Sequence, residues 1–364
     1  MSNTQVHGGD LDIISRRYGI PKEDIVNFSG NVNPLGLPEE VKAAVRDNLS
    51  VICDYPDVSY LKLREAIASY TGADIESLIV GNGSTELIST YIKTLCPREC
   101  IIISPAYSEY QREIELIGGN ITLFPLLEEE DFVLNLERLK ALITDLTDLV
   151  VLCNPNNPTG SCVTANRLRM LLDCLKEHNA CLMIDETYIE FADNVKAVSA
   201  MPLTCEYTNL FIIRGTSKFF SCPGLRLGYS ACSDIALREK AASYKDPWSV
   251  NSYAELAGCV MFAAEDFIKR TRSLIISERN RIRSELLKWK NIKLYDTQSN
   301  FFLFKLTRED ISAADIFENL INKKLLVRDC SSFPYLDGHY IRFCIQLPQQ
   351  NDMLLKELKE IIEN

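Results

Sequence analysis

Apolar positions along this chain fall into two textures. Short unbroken apolar runs at 149–153 and 181–184 bracket a stretch in which Leu168, Leu171, Leu172 and Leu175 recur at helical spacing. The runs are too short for helices and lack polar alternation, so they predict strands buried on both faces, with an amphipathic helix between them. The same succession appears at 78–80, where the turn 81–83 opens a helix over 84–95, and 210–214 predicts a further buried strand. Strands alternating with helices predict an α/β fold whose large domain is a mostly parallel sheet covered by helices.

From about residue 251 the texture changes. A charged amphipathic stretch over 266–290 predicts one long helix, 301–305 and 340–345 predict separated strands, and a closing helix starts near 352. That order predicts a smaller α+β domain beside the sheet domain. The expected division is an N-terminal segment over 1–45 that joins the small domain, a large domain over 46–255 and the small C-terminal domain over 256–364.

Composition narrows the partners. With 364 residues, 46% of them hydrophobic, the chain can bury a core of that size. A formal net charge of −11 argues against nucleic acid or an anionic membrane as partner, because both would repel it. The arginine-rich stretch 270–283 accordingly reads as the solvated face of the long helix. Thirteen cysteines lie scattered from Cys53 to Cys344 without metal-ligand spacing, so no metal is expected. Their odd number and the absence of a leading apolar segment predict reduced thiols in a cytoplasmic protein.

The candidate chemistry sits where open parallel sheets bind ligands, just beyond the carboxyl ends of strands. After 78–80 comes Gly81-Asn82-Gly83-Ser84-Thr85, and after 149–153 comes Asn154-Pro155-Asn156-Asn157-Pro158-Thr159-Gly160. After 181–184 comes Asp185-Glu186-Thr187-Tyr188, and after 210–214 comes Gly215-Thr216-Ser217-Lys218. The glycine turn opens a helix whose unpaired N–H groups suit a phosphate, although such a turn is by itself ordinary turn chemistry. Arg226 stands eight residues beyond Lys218. A guanidinium there can pair with a phosphate, and its charge lowers the lysine pKa toward the nucleophilic amine.

In order and spacing, the segments 156–160, 185–188, 217–218 and 224–229 resemble the signature of class I/II aminotransferases in the aspartate-aminotransferase superfamily. The resemblance implies the fold type I architecture of pyridoxal 5′-phosphate (PLP) enzymes. Lys218 would carry PLP as a Schiff base and serve as the mobile acid/base, with Asp185 paired to the pyridine nitrogen. Asn157 and Tyr188 would hydrogen-bond the phenolate oxygen, and Tyr107 would stack on the ring unless it is simply core. Gly83, Ser84, Thr85, Ser217 and Arg226 would form the phosphate end of the site. One departure is Gly215, where many relatives carry a hydroxyl; that contact is missing here or replaced, with Thr216 the candidate. Tyr55 resembles the tyrosine that relatives give to a neighbouring subunit's phosphate site, which implies a homodimer; burial in its own subunit is the alternative.

Two subfamilies share the element Asn31-Val32-Asn33-Pro34 and an arginine comparable with Arg342: histidinol-phosphate aminotransferases and threonine-phosphate decarboxylases of cobalamin biosynthesis. The segments 7–9, 27–30, 247–251 and 328–334 favour the decarboxylase. On that reading His7 and the Gly8 amide, with Asn31, Arg328 and Arg342, hold the phosphate and carboxylate of O-phospho-L-threonine, Asn157 also approaches the substrate, and carbon dioxide leaves. On the other, an amino group passes to 2-oxoglutarate.

Overall fold

The structure is a computed structural model and describes residues 10–363. Its strands, in chain order, begin with β1 (Val26–Asn27), β2 (Leu78–Gly81), β3 (Glu99–Ser104), β4 (Asn120–Pro125), β5 (Leu149–Cys153), β6 (Cys181–Asp185), β7 (Leu210–Gly215) and β8 (Gly228–Cys232). They continue with β9 (Ile292–Leu294), β10 (Phe301–Leu306), β11 (Leu325–Leu326), β12 (Arg328–Asp329) and β13 (Tyr340–Cys344).

Seven of these form one sheet in the order β2-β8-β7-β6-β5-β3-β4. All neighbours from β7 to β4 are parallel, and β8 runs antiparallel to both β7 and β2. The central strands β5 and β7 are buried at every position, which is why their sequences are unbroken apolar runs. Between β5 and β6, the helix Ala165–Glu177 buries Leu168, Leu171, Leu172 and Leu175, the stripe its spacing predicts. Strands β3, β4 and β8 are additions to the sequence reading. Of these β8 matters most, because it lays Gly228 beside the turn that follows β2.

The C-terminal part holds an antiparallel sheet in the order β12-β13-β10-β9. The N-terminal segment is stitched to it: β1 pairs in parallel with β11, and Cys344 N–H donates to the Phe28 carbonyl at 2.7 Å. Ile14 and Ile25 pack with Ile321 and Leu326 in a small apolar cluster. The main apolar core is contiguous from the large sheet through Phe301 and Phe343 to the closing helix Pro348–Glu363.

The long helix spans Glu265–Leu286 and buries Phe267, Ile275, Ile282 and Leu286 along one side. Its arginines correct the expectation of a wholly solvated face. Arg279 is buried and donates to the carbonyls of Phe191 and Ser299, and Arg272 donates to those of Glu190, Ala192 and Asp193. The segment after β6 has backbone acceptors with no ladder partner, and these two guanidinium groups satisfy them. Among the described residues no helix is long and apolar enough to cross a membrane.

Candidate active site

The carboxyl ends of β5, β6 and β7 and the turn after β2 meet the small antiparallel sheet around a cavity of about 280 Å³. Ser84, Tyr107, Asn157, Asp185 and Lys218 line it from the large sheet, and Arg328 and Arg342 from the small one. Thr85, Tyr188, Ser217, Arg226 and Asn31, also expected from the sequence, lie on the same walls. Residues as far apart in the chain as Asn31 and Arg342 are thus brought within one small-molecule site, because the parallel strands deliver their C-terminal loops to the edge on which the small sheet docks.

Lys218 follows β7 directly. Its Nζ donates to the Gly30 carbonyl at 2.8 Å, which points the amine into the cavity from the N-terminal segment's side. Burial lowers its pKa to about 8, assisted first by the charge of Arg342 and less by that of Arg226. The sequence reading credited Arg226 alone; desolvation and a strand more than a hundred residues downstream do most of it. A lysine poised this way keeps a minor neutral fraction near pH 7, far larger than that of an ordinary lysine, as a nucleophilic amine requires. Its loop is held by the Asn31-Val32-Asn33-Pro34 element. Asn33 N–H donates to the Lys218 carbonyl at 3.0 Å, and Asn33 Nδ2 donates to Phe219 O and Thr271 Oγ1 at 2.7 and 2.9 Å.

Asp185 ends β6 and is buried. Its Oδ1 accepts from Thr187 N–H at 2.9 Å and Thr187 Oγ1 at 2.5 Å, while Oδ2 accepts from Tyr110 Oη at 2.7 Å. Burial raises its pKa, and these hydrogen bonds oppose that rise. Neither Tyr110 nor the Thr187 role was singled out from sequence. The available signal for Tyr110 was its place three residues after Tyr107, one helical turn away on the helix Ser108–Leu116.

At the opposite end, Gly83 caps the helix Ser84–Leu95 with φ 83° and ψ 166°, backbone that only glycine adopts readily. A Cβ there would lie 2.8 Å from the Arg226 Cζ, so the missing side chain is the seat of that guanidinium. Gly228 on β8 is as constrained: its Cβ would come 2.6 Å from Ser84 N. A Cβ at Gly215 would stand 3.3 Å from Ser84 Oγ. The hydroxyl absent at 215 is therefore faced by Ser84, and Thr216 does not replace it. Thr216 Oγ1 donates to the Leu227 carbonyl at 3.0 Å, is buried, and stays off the cavity wall.

Between the two ends, Arg342 is tied to Asn157 Oδ1, and its Nη2 donates to the Ser29 carbonyl at 2.7 Å. With Oδ1 engaged, Asn157 is left with its Nδ2 as donor. Asn31 Nδ2 donates to Tyr188 Oη at 3.2 Å, which leaves the phenol O–H of Tyr188 to donate as well. Arg328 donates to Ser332 Oγ at 2.7 Å and lies 5.5 Å from the Phe333 ring centroid. Burial and the Arg342 charge both lower its pKa.

Two expectations fall elsewhere. Tyr55 is 81% exposed, with its ring 4.9 Å from that of Trp248, so burial in its own subunit is excluded. His7 and Gly8 lie outside the described residues.

The donor set suits PLP. A guanidinium and a helix N-terminus stand at one end, a buried carboxylate at the other, a lysine amine and an aromatic ring between, and two donors are free for a phenolate. Among the described residues, buried Asn31 Oδ1 and Arg342 Nε have no hydrogen-bond partner, as expected of groups that a bound molecule would satisfy.

Comparison with known proteins agrees. Residues 23–358 match the family model described as aminotransferase class I and II. The chain is 34% identical to the threonine-phosphate decarboxylase of Salmonella typhimurium, over 98% of this chain and 96% of that protein. It is 30% identical to the histidinol-phosphate aminotransferase of Methanosphaera stadtmanae, over 99% of this chain and 97% of that one. The crystal structure of the histidinol-phosphate aminotransferase from Clostridium acetobutylicum superposes with a TM-score of 0.86 at 30% identity, covering 93% of this chain and 99% of that chain. Sheet order, a strand-end lysine and a match along nearly the whole sequence lead to one assignment: the chain belongs to the class I and II aminotransferase family and is a PLP-dependent enzyme.

Proposed function

We propose that this enzyme decarboxylates a phosphorylated amino acid, with O-phospho-L-threonine the expected substrate. One observation carries the reading: Arg328 and Arg342 are Cα partners across β12 and β13, and both face the cavity that contains the Lys218 amine. Two guanidinium groups held side by side repel each other, and a ligand bearing separate carboxylate and phosphate groups relieves that repulsion. The name of the Salmonella typhimurium relative points the same way.

PLP, when bound, supplies an electron-accepting ring that takes up the pair left at the substrate's Cα when a bond there breaks. Lys218 would hold it covalently, Asp185 would keep a proton on the ring nitrogen, and Tyr107 would cover the ring face. Asn157 Nδ2 and the Tyr188 O–H would donate to the phenolate oxygen, and Ser84, Thr85, Ser217 and Arg226 would bind the phosphate. Arg342 and Arg328 would orient the substrate so that its Cα–carboxylate bond stands perpendicular to the ring, which selects that bond for cleavage. Carbon dioxide then leaves, and Lys218 delivers one proton to Cα in its place.

Transamination is the second reading, favoured by the Methanosphaera stadtmanae relative at 30% identity. It needs Lys218 to remove a proton from Cα instead of adding one. Purified holoenzyme given O-phospho-L-threonine should release carbon dioxide. Glutamate formed from histidinol phosphate and 2-oxoglutarate, with no carbon dioxide in the first reaction, would replace the decarboxylase by the aminotransferase.

We also infer a homodimer in which Tyr55 reaches the partner's phosphate site. Its exposure, together with that of Leu49, Ile52, Val58 and Trp248, supports the inference, because an apolar surface of this kind suits a second copy of the chain.

A further inference from the structure

We propose that Tyr110 is a positioning residue for Asp185, its phenol O–H keeping that carboxylate charged and turned toward the cavity. The inference rests on reading Asp185 as the partner of the ring nitrogen. Asp185 is gripped at two points. Thr187, two residues along the same loop, engages Oδ1 through N–H and Oγ1, and Tyr110 engages Oδ2 at 2.7 Å from a different helix. Local bonds to one oxygen leave the carboxylate free to twist about Cβ–Cγ; a donor on the second oxygen fixes its plane. A phenol also carries a single O–H, and donating it to Oδ2 requires that oxygen to be unprotonated. Burial works against the charge, so each donor that remains counts.

Tyr110 is itself wholly buried, and its ring stands edge-on to that of Tyr107, with centroids 5.7 Å apart at 87°. Tyr107 caps the helix Ser108–Leu116 and Tyr110 is its third residue. One helical turn thereby sets both the side chain that covers the ring face and the donor that holds the carboxylate at the ring's nitrogen end. Rigid elements of this kind place a site more closely than a loop can.

The test uses apoprotein carrying ¹³C-labelled aspartate and follows the Asp185 carboxyl through a pH titration. Tyr110→Phe should raise its midpoint by about one pH unit or more, since a hydrogen bond to a charged group favours ionisation roughly tenfold to a hundredfold. Incorporating 3-fluorotyrosine at position 110, a stronger donor of nearly the same shape, should lower it. In the holoenzyme Tyr110→Phe should cut kcat about 10- to 100-fold while KM and the Kd for PLP stay within about threefold. An unmoved midpoint in either altered protein overturns the proposal, and so does a loss of PLP affinity as large as the loss of turnover. Should the phenylalanine protein not fold, the fluorotyrosine titration alone decides. The carboxyl titration is blind to whether the substrate loses carbon dioxide or its amino group, so its failure is separate from failure of the proposed reaction.

Discussion

Gly83→Ala isolates the seat of Arg226. The added Cβ would sit 2.8 Å from the guanidinium carbon, and that carbon must move because the other side of the contact is backbone at the head of a helix. Two effects follow, and they can be separated. At φ 83° and ψ 166° any side chain costs about 1–3 kcal/mol of stability. On the proposed role of Arg226, displacing the guanidinium would remove a charge-assisted hydrogen bond to the PLP phosphate worth about 1.5–3 kcal/mol, or roughly 10- to 150-fold in Kd. Gly36→Ala is the control: φ there is +73°, yet nothing lies within 4 Å of the added carbon. Both variants should melt at lower temperature as apoproteins, and only Gly83→Ala should weaken PLP, measured by fluorescence titration. A Gly83→Ala Kd within about threefold of wild type, alongside the stability loss of Gly36→Ala, would refute the placement of Arg226 at the phosphate.

Lys218 ties stability to pH in the apoprotein. Its folded pKa of about 8 lies below the ordinary 10.5, so between those values this position binds more protons in the unfolded chain and its contribution to stability rises with pH. In denaturant titrations across that window wild type should gain about 3 kcal/mol relative to Lys218→Met, at about 1.4 kcal/mol per pH unit; the comparison cancels buried thiols such as Cys100, Cys181 and Cys222, whose raised pKa values lower stability as pH rises in both proteins. A difference between the two proteins that is flat or falling there would contradict the buried, charge-crowded amine. Arg342→Ala should raise the Lys218 pKa, because a neighbouring cation is lost, and should release Asn157 from its fixed orientation. Its KM for a phosphorylated substrate should rise about 100-fold, for the loss of roughly 3 kcal/mol of charged hydrogen bonding, and steady-state kinetics would expose an unchanged value.

Local chemistry wrote much of this site into the sequence. Lys218, Asp185, Asn157 and Ser84 each follow a buried apolar run, and a parallel strand sends its carboxyl-end loop to the ligand edge wherever it lies in the sheet. Neither strand order nor knowledge of neighbours is needed to find them. Leu168, Leu171, Leu172 and Leu175 likewise announce their helix face through spacing alone.

What tertiary structure decided are the contacts between segments far apart in the chain. The Tyr110 grip on Asp185 spans 75 positions, the Arg342 tie to Asn157 spans 185, and the Lys218 bond to the Gly30 carbonyl spans 188. Arg279 reads as a solvated helix charge until the carbonyls of residues 191 and 299 are brought to it. Thr216 reads as a phosphate ligand until Leu227, the residue before β8, supplies the carbonyl that occupies it. Periodicity and motif spacing encode which face of an element is apolar and which loop is polar. They carry no record of which loops meet, because that depends on strand order and on where two sheets dock around one shared core.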